Sequence, residues 1–220
     1  MTKKVAVLLS GCGVKDGSEI HEAACALLAI KRAGADYFCF APNKPQRDVV
    51  DHLKSAPTGE RRNVLVESAR IARGEIRDLA SFDASDFDAL VIPGGFGSAK
   101  NLSDYAVKGA AATPDPGFAA AVRAMHAAGK PVGAICITPV VVASIFRGTG
   151  VSPTLTIGTD PGTVADIEAM GSRHVECPPT DCVVDEKNRI VTTPAYMSAA
   201  HIGEVFEGVS KLVEEVLRLA

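Results

Sequence analysis

No apolar run in this chain approaches the ~20 residues that a membrane-spanning helix needs. No block of basic residues stands out either: 23 Lys and Arg are scattered among 26 Asp and Glu, for a net charge of −3. That excludes a nucleic-acid footprint and a polybasic membrane patch, so neither partner is expected. None of the six cysteines pairs with another at C-x-x-C spacing, which removes zinc and thioredoxin-like sites. The apolar run Val5–Leu9 is too short for a signal peptide and has no small-residue cleavage pattern behind it. The expectation is therefore a cytoplasmic protein with reduced thiols. Internal repeats, low-complexity tracts and linkers are also missing, and one domain over residues 1–220 is expected.

What remains is 220 residues, 47% hydrophobic and 22% charged, enough for an α/β domain with a sizeable core. Val5–Leu9 reads as a buried parallel strand. A glycine-rich loop, Ser10–Gly17, leads to a helix over Glu19–Ala33 with Ser18 as its cap. Ile20, Ala23, Ala24, Leu27 and Leu28 form the expected inward stripe. Tyr37–Phe40 is a second strand. This β-α-β start invites a dinucleotide reading, which fails on detail. The glycines fall as G-x-G-x-x-x-G, one residue too long, and strand two ends near Asn43 instead of an acid.

The polar stretch 43–62 is a long connection, expected to hold one short helix around Asp48–Lys54 and to serve as a lid or an interface. A helix over Asn63–Arg73 and a short strand over Glu75–Leu79 follow. Leu90–Ile92 is a third main strand, ending in Pro93-Gly94-Gly95. Such a turn is where open α/β sheets place ligands, and its amides could face a developing oxyanion. An ordinary tight turn is the plainer alternative. Later segments read as a helix over Ala119–Ala128, a strand at Leu155–Gly158, a helix at Thr163–Met170, a hairpin within Cys182–Thr192 and a closing helix at His201–Leu219.

The chain is organised around Pro131–Val142. Pro131–Ile135 is a short apolar strand, and from Pro139 the pattern turns helical. Cys136 therefore sits at a sharp strand-to-helix turn, as in a nucleophile elbow with Cys in place of Ser. A helix N-terminus favours the thiolate and can lower a thiol pKa from about 8.5 to roughly 3.5. A small apolar cysteine filling the core is the alternative.

Four segments carry a resemblance: Ser10–Glu22, Pro93–Leu102, Ala134–Ile137 and Val191–Met197. In them the chain resembles the ThiJ/PfpI superfamily, and within it the ElbB-type glyoxalases, over essentially its whole length. The resemblance implies a class I glutamine amidotransferase-like fold: a three-layer flavodoxin-like α/β sandwich with a mostly parallel central sheet. It implies that Cys136 is a nucleophile and that a carboxyl group from the first helix contacts its sulfur, with Glu22 favoured over Glu19 by counting back from Gly34. A pair of charges supporting a helix N-terminus is the other reading of these glutamates. The amides of Gly95 and Ile137 match the oxyanion-binding pair. Gly94, Gly11, Cys12 and Asp160 join them as candidate substrate-binding positions. Superfamily members also tend to form homodimers.

The departures from the family pattern are specific. Ile137 stands where many relatives have His, the loop Thr159-Asp160-Pro161 lacks a His found in related glyoxalases, and Thr193-Pro194-Ala195 replaces a His-Pro-Glu. A Cys-His-Glu triad is not visible. A thiol with a neighbouring carboxyl group suits a small reactive aldehyde better than an amide, whose leaving group must be protonated. The expected activity is a glyoxalase without cofactor or metal. A cysteine hydrolase or deglycase, and a redox-sensing protein, are the competing readings.

Overall fold

The computed structural model describes residues 2–220. β1 (Lys4–Leu8), α1 (Ile20–Arg32) and β2 (Asp36–Ala41) form the opening β-α-β unit. The next elements are a small hairpin of β3 (Val50–Asp51) and β4 (Ala56–Pro57), then α2 (Val64–Ile71), β5 (Ile76–Asp78), β6 (Ala89–Ile92), α3 (Phe96–Lys100), α4 (Tyr105–Lys108) and α5 (Pro116–Ala127). The elbow strand is β7 (Val132–Ile135) and its helix is α6 (Thr138–Phe146). β8 (Thr154–Leu155), α7 (Pro161–Ala169), β9 (Arg173–His174), β10 (Val183–Asp185), β11 (Ile190–Thr193) and α8 (Ile202–Leu219) complete the chain.

Seven strands pair in the order β10-β11-β7-β6-β1-β2-β5, and every pairing is parallel except β10 with β11. Alternation along β1 divides the core. Val5 and Val7 face a cluster shared with α1 and α8, whereas Ala6 and Leu8 face one shared with α5 and α6. Helices thus cover both faces, as parallel strands require. The result is the expected three-layer α/β sandwich. β1, β6 and β7 lie side by side, so the loops after Leu8, Ile92 and Ile135 converge at one sheet end.

Several local expectations change. Glu19, not Ser18, caps α1: its carboxylate accepts from the Glu22 amide at 2.7 Å, while the Ser18 hydroxyl accepts from the Ser10 amide at 2.9 Å. On α1, Ala23 and Leu27 are buried, but Ile20, Ala24 and Leu28 lie on the outer face. The sheet instead takes Ala26 and Ile30, and with them Glu22. Ile202 of α8 is likewise exposed. Residues 48–54 form no helix. The Asp51 carboxylate accepts from the Leu53 and Lys54 amides, turning the chain into the β3–β4 hairpin. Leu155–Gly158 does not join the main sheet; only Thr154–Leu155 is strand, paired with β9.

Asn101, just after α3, ties three loops together. Its amide nitrogen donates to the Ser10 and Asp16 carbonyls, both at 2.9 Å, and its carbonyl accepts from the Arg47 amide at 3.0 Å. The residue is buried, so each bond lost would leave a backbone group without its partner. Asn101→Ala is expected to cost about 2–3 kcal/mol. Urea unfolding should show a lower midpoint with an unchanged slope, and Asn101→Asp, which keeps the shape but loses both donors, should not restore it.

Candidate active site

Cys136 follows β7 directly and lies at φ +63°, in the left-handed region that a non-glycine residue enters only when its surroundings force it. Two constraints impose that conformation. The Cys136 amide donates to the Thr193 carbonyl at 2.9 Å, continuing the β7–β11 pairing. Beyond the turn, Thr138 opens α6 with Pro139 in its first turn. The Thr138 hydroxyl donates to the Pro93 carbonyl at 3.0 Å and lies 2.8 Å from the Ser98 hydroxyl, locking the elbow to the Pro93–Gly95 turn. Strand, left-handed residue and helix together make the nucleophile elbow.

Glu22 is the carboxyl group that meets the sulfur. It is completely buried, and it shares a hydrogen bond with Cys136. Its Oε2 accepts from the Gly94 amide at 3.0 Å and its Oε1 from the Tyr196 amide at 3.3 Å. Glu19 is occupied in capping α1, one helical turn earlier. The choice between the two glutamates left open by the sequence thus falls to Glu22. Gly94 must be glycine here: a Cβ would collide with the Cys136 Cβ and the Glu22 carboxylate. Gly95, at φ +96°, has no room for a side chain against the Gly17 carbonyl and the Glu19 amide. The amides of Gly95 and Ile137 face the Cys136 sulfur and pull its pKa down.

Electrostatics reverse one expectation. Burial, reinforced by the negative charge of Glu19, pushes the Glu22 pKa up to about 8, against the pull of its bonds to Cys136, Tyr196 and Gly94. The Cys136 thiol is pushed up as well, by burial first and the neighbouring Glu22 second, with the Gly95 and Ile137 amides acting against it. The N-terminus of α6 does not produce a low-pKa thiolate. Its influence is outweighed because the sulfur, on a residue only 7% exposed, has a carboxyl group rather than a cation beside it. The strongest influences on the thiol come from Glu22 and the Gly95 and Ile137 amides, none of them a histidine.

Gly11, Cys12 and Asp160 make their contacts elsewhere. The Gly11 amide donates to the Ser68 hydroxyl at 2.9 Å, and the Cys12 thiol faces Glu67, Arg70, Asp16 and Arg62. Asp160 caps α7 by accepting from the Thr163 amide at 2.8 Å. Sequence reasoning did not single out Ser98, Thr138, Asn101 or Tyr196. Ser98, Asn101 and Tyr196 stood inside the motifs that carried the resemblance; Thr138 gave no signal of its own.

Residues 14–205 match the model of the DJ-1/PfpI family. The human "Glutamine amidotransferase-like class 1 domain-containing protein 3, mitochondrial" is 44% identical over 98% of this chain and 83% of its own length. The zebrafish "ES1 protein, mitochondrial" is 34% identical over 98% of this chain and 85% of its own. Among solved structures, an isoprenoid biosynthesis protein with an amidotransferase-like domain from Ehrlichia chaffeensis superposes with a TM-score of 0.91, at 41% identity, covering 99% of this chain and all of its own. These names correct the cytoplasmic expectation. The human and zebrafish relatives, like a rat homologue at 42% identity, are named as mitochondrial, and the short apolar run at Val5–Leu9 is a strand of the sheet with no bearing on destination.

The proton on Glu22 makes stability depend on pH. In the folded protein Glu22 keeps its proton up to about pH 8, whereas the ordinary glutamate value is 4.5. Between those values the folded state binds more protons than the unfolded one, so this group's contribution to stability falls as pH rises. Glu22→Gln removes that slope. The stability of the variant relative to wild type should improve by roughly 3 kcal/mol between pH 5 and pH 7.5, read by urea unfolding at both values. A difference that does not change with pH would contradict a buried, protonated Glu22.

Proposed function

This chain belongs to the DJ-1/PfpI family, and on that footing we propose that it is a glyoxalase of the ElbB type, acting without a cofactor on small reactive aldehydes such as glyoxal and methylglyoxal. The observation that carries the reading is the buried Glu22–Cys136 pair under the Gly95 and Ile137 amides. Such a pair can hand a proton back and forth without help from a third residue.

The reaction follows from those contacts. As the Cys136 sulfur adds to one aldehyde carbon of glyoxal, the Glu22 carboxylate takes the thiol proton. The Gly95 and Ile137 amides hold the oxygen that becomes negative, and Glu22 returns the proton to it, giving a hemithioacetal. Glu22 then removes the hydrogen from the sulfur-bearing carbon, forming an enediolate. Delivery of that proton to the neighbouring carbon, as the hydroxyl proton of the sulfur-bearing carbon passes to the neighbouring oxygen, leaves a thioester of glycolate on Cys136. Water hydrolyses the thioester, releasing glycolate and restoring the thiol. The sum is glyoxal plus water giving glycolate, with no change in total oxidation level. Methylglyoxal gives lactate by the same steps.

Two observations favour this over the alternatives. Amide hydrolysis needs an acid for a nitrogen leaving group, and the groups around the sulfur include no histidine to serve as one. Redox sensing favours a thiolate at neutral pH, and here burial holds the thiol protonated.

Glyoxal consumption without glutathione, with glycolate followed by NMR, tests the proposal. Cys136→Ala should fall to the uncatalysed rate, and Glu22→Gln should lose at least about 100-fold. Wild-type turnover should rise with pH and level off above about 8, as Glu22 sheds its proton and becomes able to accept another. Full activity in Cys136→Ala would refute the mechanism.

A further inference from the structure

One segment, 193–196, grips both members of the reactive pair. The Thr193 carbonyl accepts from the Cys136 amide at 2.9 Å, and three residues later the Tyr196 amide donates to Glu22 Oε1 at 3.3 Å. Between them Ala195, fully buried, lies at φ +44°. This left-handed residue swings the chain off the end of β11 and aims the next amide at Glu22. A non-glycine residue holds such a conformation only where its surroundings over-determine it. Packing of Ala195 and Tyr196 in the α1–α8 cluster supplies part of that restraint. The polar part comes from the surface, where the Tyr196 hydroxyl and His21 Nδ1 share a hydrogen bond of 2.8 Å. The two rings lie 5.8 Å apart at a tilt of 48°.

His21 is the residue before Glu22. Tyr196 therefore contacts α1 twice at adjacent positions, by its backbone to Glu22 and by its side chain to His21. We propose that His21 and Tyr196 are positioning residues, whose side-chain bond clamps the 194–197 turn onto α1 and so keeps the Tyr196 amide on the Glu22 carboxyl. Neither side chain is among the groups acting on the sulfur; both act through Glu22. The clamp rests on the Glu22–Cys136 pairing used in the proposed reaction, and it holds whichever substrate that pair serves.

The consequence concerns the proton. The ionisable groups facing Glu22 are Glu19, on its own helix, and Cys136, on the elbow; those facing Tyr196 are Glu19, Cys25, Glu22 and, at its hydroxyl, His21. Neither group facing Glu22 is a cation, so amide donors are what stabilise the Glu22 carboxylate, and among the described residues the Tyr196 amide is one of two backbone donors to it. Loosening that donor raises the proton affinity of Glu22, and a Glu22 that stays neutral to higher pH puts no negative charge beside the sulfur, so the Cys136 thiolate forms at lower pH.

The test is the pH dependence of Cys136 alkylation by iodoacetamide, read by mass spectrometry of the Cys136 peptide. It needs no aldehyde, so it stands apart from success or failure of glyoxal turnover. Tyr196→Phe keeps the ring and the amide but loses the hydroxyl, and His21→Ala removes the partner from an exposed position. Both should move the alkylation midpoint down by about 0.5–1 pH unit, a roughly three- to tenfold faster reaction at pH 7. His21→Gln, which can still accept from the hydroxyl, should restore most of the shift. A midpoint unchanged in both variants, with or without a lower melting temperature, would overturn the proposal and leave the His21–Tyr196 bond a merely structural contact.

Discussion

A carboxyl group with no access to water, one turn inside the first helix, sets the terms for everything at the active end of this sheet. Glu22 can be buried because it keeps its proton and three polar groups meet it there: the amides of Gly94 and Tyr196 and the thiol of Cys136. Each comes from a different part of the chain. Glycine is required at position 94 because the backbone must come within hydrogen-bonding distance of the carboxylate while the cysteine presses from the other side. The left-handed turns at Cys136 and Ala195 follow from the same need, since each ends a parallel strand and redirects the chain toward Glu22. The cost of hiding an acid is offset by converging donors, and the convergence is the site.

The sheet makes that convergence possible. Adjacent parallel strands β1, β6 and β7 deliver their C-terminal loops to one edge, and β11 adds a fourth beside β7. Asn101 then fastens the glycine loop after β1 to the segment after β2. Ser98 and Thr138 fasten the loop after β6 to the helix after β7. The glycines give close approach, and these buried polar side chains hold the loops at that distance.

Much of this was legible in the sequence where physics is local. A short apolar strand, a cysteine and a helix with proline in its first turn point to an elbow, with a core-filling cysteine as the competing outcome. Counting helical turns back from Gly34 favours Glu22 but leaves Glu19 open. The failures came where tertiary contacts decide. Ser18 is as good a cap as Glu19, but its hydroxyl is claimed by Ser10. Residues 48–54 look helical until Asp51 folds its carboxylate back on the next amides. Ile20 and Leu28 match a helical stripe, yet the sheet lies under Ala23, Ala26 and Ile30. The direction of the Cys136 shift was misread because a helix N-terminus is visible in sequence, whereas burial beside an acid is not.

The tie between Cys136 and Thr193 also has a meaning in time. A ribosome issues the chain from its N-terminus, and the cysteine emerges well before the strand whose carbonyl holds its amide. Until β11 docks against β7, nothing enforces the left-handed turn, and the Tyr196 amide is not yet present to meet Glu22. The nascent thiol is then an ordinary one in a mobile loop, open to oxidants and to stray electrophiles. The protein acquires its guarded cysteine only with the last strand of the sheet, so the interval between those two moments is the period in which a newly made molecule is chemically most vulnerable.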